Sequence, residues 1–218
     1  MLPHVRYLHG FGSGPFSEKG QDLGRRLADV SASFAIPDLE GGDFTGLTME
    51  GMRGRAVAAC PQDGRVILVG SSMGGYLAAW LAASGAIANL AGIVLIAPAF
   101  GFTSRWTTIL GADGVAAWRR DGSRPFFHYG AQREVPLGVG FLDSCESVPA
   151  VPGDPRVPCA IVHGRGDETV DHRASLDFAA SHPAVELHLV HGDHRLTEPR
   201  HAELIAWTAR DLIARCGA

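Results

Sequence analysis

Short apolar runs recur along this chain with helix-length segments between them, and that alternation limits the possible folds more than any other feature. The runs are Val5–Leu8, Ser33–Ile36, Val66–Val69, Ile93–Ile96, Cys159–Val162 and Val185–Val190. Helical patterns lie between them near 17–30, 47–60, 74–84, 171–181 and 198–215. Parallel strands need a crossover long enough to hold a helix, so this spacing predicts a mostly parallel sheet of about six strands with helices on both faces. The central runs, Val66-Ile67-Leu68-Val69 and Gly92-Ile93-Val94-Leu95-Ile96, are apolar throughout, as a strand covered on both faces requires.

The alternation breaks once. From about 98 to 158 the chain carries Pro, Gly and aromatic residues and no clear strand. Eight of its 17 aromatic residues fall within 100–141: Phe100, Phe102, Trp106, Trp118, Phe126, Phe127, Tyr129 and Phe141. A structureless loop of that length does not suit a compact domain. The segment therefore reads as an insertion, or cap, with helix near 104–120, set into one domain spanning 1–218.

Composition excludes several classes. Apolar residues make up 46% and charged residues 19%, too apolar and too weakly charged for intrinsic disorder. Net charge is −4, and 18 of the 19 basic residues are arginines scattered singly or in pairs; Lys19 is the lone lysine. No basic run is present to neutralise a phosphate backbone, so no nucleic-acid partner is expected. No apolar stretch approaches the roughly 20 residues that cross a bilayer. The N-terminal residues lack a charged segment followed by an apolar one, so no membrane partner and a cytoplasmic location are expected. The four cysteines (Cys60, Cys145, Cys159, Cys216) show no paired spacing and read as ordinary thiols.

Glycine is over-represented at 28 of 218 residues, and its placement points to chemistry. Val69-Gly70-Ser71-Ser72-Met73-Gly74-Gly75 follows an apolar strand and opens a helical pattern. Read as G-x-S-x-G, it places Ser72 on a tight strand-to-helix turn, where side chains at Gly70 and Gly74 would collide with nearby backbone. Ser71 fails that test, because Val69 and Met73 flank it at the same offsets. A serine hydroxyl needs a base to become a nucleophile. Of the ten histidines, His194 in His191-Gly192-Asp193-His194 lies just after the last strand and before the last helix, with His191 as its rival. A carboxylate must orient that imidazole. Asp167 lies on the loop after the preceding strand, in His163-Gly164-Arg165-Gly166-Asp167; Glu168 and Asp171 are nearby alternatives and Asp143 a distant one. The order Ser72…Asp167…His194 is the one that accompanies G-x-S-x-G. His9-Gly10-Phe11-Gly12 directly follows the first strand, so the Phe11 and Met73 amides are the candidate oxyanion donors.

With these pieces the chain resembles the α/β-hydrolase family, and within it the small bacterial serine esterases of the YqiA type. The matching segments are Tyr7–Gly12, Gly70–Tyr76, His163–Asp167 and Gly192–Leu196, in family order and spanning nearly the whole sequence. The resemblance implies a Ser72, Asp167, His194 triad with Phe11 and Met73 as oxyanion donors. It also implies hydrolysis of carboxylic esters or thioesters through an acyl-enzyme, with no cofactor and no metal. One departure is visible: many members begin with two antiparallel strands, whereas this chain starts directly on the strand leading to His9-Gly10. A small-molecule ester is the expected partner. Phe11, Tyr76, Phe100, Phe102 and Trp106 are the expected lining of its binding pocket.

Competing readings are a catalytically inactive scaffold that serves as a binding protein, and a dinucleotide-binding oxidoreductase. For the latter, Gly10-Phe11-Gly12 follows a strand and Asp38 lies 28 residues beyond Gly10. However, the third glycine of the fingerprint falls on Pro15, and the acid normally comes about 20 residues on. The spacing His188-x-x-His191-x-x-His194 suits a metal poorly, because His188 and His191 on a strand face opposite sides.

Overall fold

The computed structural model describes residues 1–217. Six strands, β1 (His4–Leu8), β2 (Ser33–Ala35), β3 (Val66–Ser71), β4 (Leu90–Ile96), β7 (Cys159–Gly164) and β8 (Val185–Val190), form one sheet in the order β2-β1-β3-β4-β7-β8. Every pairing in it is parallel. The chain thus has the α/β-hydrolase fold expected from its strand–helix alternation.

Side chains alternate across the sheet, and each face has its own helices. Leu8, Val66, Leu68, Ile93 and Leu95 pack with residues of α2 (Met49–Ala58), α3 (Met73–Ser84) and α6 (Arg173–Ser181). Val5, Tyr7, Ile67, Val69, Val94 and Ile96 pack with α1 (Glu18–Arg26) and α7 (Pro199–Gly217). The helix ends follow local chemistry. Ser17 accepts a hydrogen bond from the Gly20 N–H at the start of α1, and Thr48 does the same for Gly51 at the start of α2. α3 differs, because Ser72 at its N-cap makes no capping bond and stands at φ 55°, ψ −117°.

The sheet reverses its winding between β1 and β3. The chain runs outward from β1 to β2, then crosses back to β3 and continues the other way. In open parallel sheets the crevice beyond the strand ends at such a reversal is where ligands bind. The loops leaving β1 and β3 carry Gly10-Phe11-Gly12 and Ser72. Two glycines bring them together. A Cβ on Gly74 would lie 2.0 Å from the Leu8 carbonyl oxygen, and one on Gly70 would lie 2.2 Å from the Gly74 oxygen.

The segment 98–158, expected to be an insertion, lies between β4 and β7, and its content departs from expectation. It holds α4 (Trp106–Asp121), α5 (Val139–Glu146) and an antiparallel hairpin of β5 (Ser123–His128) and β6 (Arg133–Gly138). The sequence reading finds no strand there. Both strands carry a mid-strand proline, and Pro125 and Pro136 stand directly opposite each other. Proline lacks the N–H of a sheet ladder and argues against a strand, yet a two-stranded ribbon consists only of edges and tolerates it. α4 spans the predicted helix but breaks at Gly111 (φ 73°, ψ 163°). The aromatic residues of this segment extend the core on the α2 and α3 face of the sheet: Trp106 stacks edge-on against Trp118, Phe126 and Phe141, and the buried Trp118 indole N–H donates to the Leu137 carbonyl at 3.0 Å.

Beneath the end of β3, Lys19 reaches from α1 to within 3.3 Å of the Ser71 hydroxyl. Burial pulls its ammonium down to about 8, against the opposing pull of Asp193 and Asp167 and reinforced by Arg195. The unfolded chain therefore binds more protons than the folded one from about pH 8 up to the ordinary lysine range, so the cost of holding Lys19 charged disappears as pH rises through that window. Buried thiols such as Cys145, raised to about 12, act in the opposite sense above pH 9, since their contribution is lost as pH rises. The comparison that isolates the lysine is therefore between proteins at each pH. Lys19→Met is expected to be more stable than the parent at pH 7 in urea unfolding, with the advantage shrinking as pH goes from 8 to 10. A constant difference would contradict this. Gly74→Ala, whose Cβ meets backbone, is expected to lose about 1–3 kcal/mol in the same assay.

Candidate active site

Ser72 occupies the turn between β3 and α3. Its N–H donates to Ile96 O at 2.8 Å, and its carbonyl accepts from Tyr76 N and Ala99 N at 3.0 Å each. These bonds fix a non-glycine residue at positive φ, a strained conformation that a structure maintains only where its surroundings over-determine it. The hydroxyl is thereby freed from capping α3 and lies 3.0 Å from His194 Nε2.

His194 stands on the loop after β8. Its Nδ1 lies 2.7 Å from Asp167 Oδ2, so the proton on Nδ1 faces the carboxylate and the Nε2 lone pair faces the serine hydroxyl. The loop is closed by glycines. A Cβ on Gly164 would meet the Gly192 oxygen at 2.4 Å, and Gly166 N–H donates to that oxygen at 2.9 Å. Asp193 turns the loop by accepting from Arg195 and Leu196 N–H.

Asp167 is the hub of the site, and its side chain has no solvent exposure. Oδ1 accepts from Thr169 N–H at 2.9 Å and Val170 N–H at 2.7 Å. Oδ2 accepts from His194 and, at 3.0 Å, from His163 Nε2. Burial alone would raise this carboxyl, but donors from His163, His194 and Val170 outweigh it and hold it well below the usual carboxylate range. It stays ionised throughout the range in which imidazoles titrate.

Sequence reasoning gives His163 no role. Its ring is fully buried at the end of β7 and bonds to Asp167 and to Ser175 Oγ at 2.8 Å. The available signal is its position, four residues before the carboxylate at the end of an apolar strand, since a buried imidazole needs partners.

The rival residues lie elsewhere. His191 is exposed, and its carbonyl accepts from His201. Glu168 is exposed, Asp171 accepts from the Arg173 N–H at 2.9 Å, and Asp143 pairs with Arg119 at 2.6 Å.

The loop after β1 passes beside Ser72, since a Cβ on Gly10 would lie 3.5 Å from the Ser72 Cβ. Met73 is the first residue of α3, so its N–H has no acceptor within the helix. Buried His9 supports the loop: its Nε2 accepts from the Leu39 N–H at 3.2 Å, and its Nδ1 lies 2.9 Å from the Gly10 carbonyl. The insertion bears on the same loop. Gly130 N–H donates to Gly12 O at 3.1 Å, and the Phe11 ring packs on Phe44, Phe126 and Phe141. His128 at the hairpin end bonds Glu40 at 2.7 Å, with both side chains nearly buried.

The residues expected to line the pocket differ in exposure. Tyr76 is fully buried and its hydroxyl donates to the Pro149 carbonyl. Phe100 is 1% exposed and stacks on Phe178. In this structure these two are core residues. Trp106 is buried among the aromatic residues of the insertion, while Phe11 and Phe102 keep partial exposure. The physical reason is that a segment of this size must bury its apolar surface, and its aromatic side chains do so against the core beneath it.

Several solved structures share this architecture. Mouse alpha/beta hydrolase domain-containing protein 10 superposes with a TM-score of 0.81 at 23% identity, covering 99% of this chain and 91% of that one. The Agrobacterium vitis S4 "Putative hydrolase" gives 0.83 at 25% identity, covering 97% and 88%. Est1E from Butyrivibrio proteoclasticus gives 0.77 at 17% identity, covering 99% and 88%. No curated protein matches the sequence. Residues 4–206 match the uncharacterised protein family UPF0227, and on that match the chain belongs to this family.

Proposed function

We propose that this protein is a serine hydrolase of carboxylic esters, with Ser72 as nucleophile, His194 as general base and acid, and Asp167 as the carboxylate that orients the imidazole. The observation that carries the reading is the continuous hydrogen-bond chain from Ser72 through His194 to Asp167, at 3.0 and 2.7 Å. It is supported by likeness in fold to hydrolases, among them an alpha/beta hydrolase domain protein.

In the proposed reaction His194 Nε2 takes the Ser72 proton as the hydroxyl oxygen attacks the ester carbonyl. Asp167 stabilises the imidazolium that forms, while Phe11 and Met73 amides hold the tetrahedral oxyanion. Donors of that kind are each worth on the order of 3 kcal/mol of transition-state stabilisation. His194 then gives the proton to the departing alcohol, leaving an acyl-serine. Water, deprotonated by the same nitrogen, releases the acid and restores the serine. The same atoms serve a thioester, with a thiol as leaving group. Within this reading the chain acts as one domain, and the insertion helps shape the site through the partly exposed Phe11 and Phe102.

Hydrolysis of p-nitrophenyl esters of rising chain length, run beside acyl-CoAs, tests the reading and ranks the substrates. Ser72→Ala is expected to lose about 10³-fold or more in kcat and all labelling by a fluorophosphonate. Retention of more than a few per cent of activity would overturn the mechanism. Asp167→Asn is expected to lose on the order of 10⁴-fold in kcat, because the amide cannot hold the required tautomer. The parent rate is expected to fall on the acid side as the general base is protonated; a rate independent of pH from 5 to 9 would count against His194.

A further inference from the structure

Asp167 Oδ2 accepts from two imidazoles, and only one of them touches Ser72. From this geometry we infer that His163 is a positioning residue: it fixes the Asp167 carboxylate and shares its negative charge, and so sets how strongly Asp167 favours a protonated His194. The inference rests on the reading of Ser72, His194 and Asp167 given above.

The proton positions follow from the partners. His163 Nε2 faces two acceptors, Asp167 Oδ2 at 3.0 Å and the Val170 carbonyl at 3.2 Å, so that nitrogen carries the hydrogen. Nδ1 faces the Ser175 hydroxyl at 2.8 Å, which donates to it. One chain of hydrogen bonds therefore runs Ser175, His163, Asp167, His194, Ser72, crossing from α6 to the nucleophile. Both His163 and Asp167 side chains are at 0% exposure, so water cannot replace the donor. A buried carboxylate that gives up part of its charge to a second N–H attracts an imidazolium less strongly.

Other charges surround the pair. From α1, Lys19 lies within electrostatic reach of Asp167. From the loop after β8 come Asp193, Arg195 and His194 itself. From the start of α6, the His172 ring lies 6.5 Å from that of His163. Glu168 and Asp171 belong to the exposed loop between. Apart from His194, none of these donates to Oδ2, so His163 is the group away from Ser72 whose removal changes the charge on that oxygen most directly.

The test follows the pH dependence of fluorophosphonate labelling at Ser72, together with ester hydrolysis, in His163→Phe, His163→Leu and His163→Gln. Phe keeps the ring volume without the donor, and Gln keeps an N–H at similar reach. In Phe and Leu the acidic limb is expected to move to higher pH by about half a unit or more, because an unshared carboxylate holds the His194 proton more tightly. Their kcat should fall on the order of 10- to 100-fold with little change in KM, as Asp167 loses its fixed orientation. Gln should keep the parent limb and most of kcat. Folded Phe or Leu variants with an unmoved limb, or a Gln variant no better than Leu, would overturn the inference. Nitrogen-15 spectra of the unaltered protein give a reading that needs no variant to fold: His163 is expected as the Nε2–H tautomer, and an Nδ1–H tautomer would overturn it. If the parent fails to label at Ser72, the serine-hydrolase reading itself falls; labelling with an unmoved limb removes only the role of His163.

Discussion

The close approach of three backbone segments at Gly70 and Gly74 is the constraint on which the rest of the site depends. Gly74 lies so near the end of β1 that any Cβ would strike the Leu8 carbonyl, and Gly70 in turn abuts Gly74. No other residue allows α3 to start hard against the sheet. At that turn Ser72 stands at positive φ with its hydroxyl free of capping the helix, and the loop after β1 runs alongside it. A second contact of this kind, Gly164 against the Gly192 and Asp193 carbonyls, joins the β7 and β8 loops in the same manner. The glycine excess is thus concentrated in function where two backbones must touch.

On that frame the electrostatics converge on one buried carboxylate. Asp167 gathers four donors, two from its own loop and two imidazoles, supplied by three parts of the fold. The loop turn gives Thr169 and Val170, the end of β7 gives His163, and the β8 loop gives His194. Burial without these donors would neutralise the acid; with them it stays charged and directional. The segment between β4 and β7 bears on the loop after β1. Its hairpin leans on Gly12, its Phe126 and Phe141 hold the Phe11 ring, and His128 ties it to Glu40.

Much of this was legible because it is local. Six apolar runs become six parallel strands, with β3 and β4 extending beyond the predicted runs to Ser71 and back to Leu90. Ser72, Asp167 and His194 each sit just past a strand, where parallel topology collects loops at one edge, and the structure brings them within hydrogen-bonding distance. The hairpin was hidden because Pro125 and Pro136 break the local rule for a strand, and only their pairing across a free ribbon makes them harmless. Tyr76 and Phe100 suit a pocket by type and neighbourhood, and the fold buries both. Aromatic side chains serve cores and pockets equally well, and sequence does not tell which surface reaches solvent.

The sheet, the strand-to-helix turn at Ser72 and the order Ser72, Asp167, His194 are local properties of the chain, because each is written in spacing and in glycines that no other residue replaces. Tertiary structure alone decided that His163 shares the Asp167 oxygen, that Lys19 lies under the end of β3, and that the aromatic residues of the insertion join the core. Those outcomes depend on which elements meet. His163 faces Ser175 and Asp167 only once α6 closes over β7, and the Phe11 ring meets Phe126 only once the hairpin folds back over the first loop.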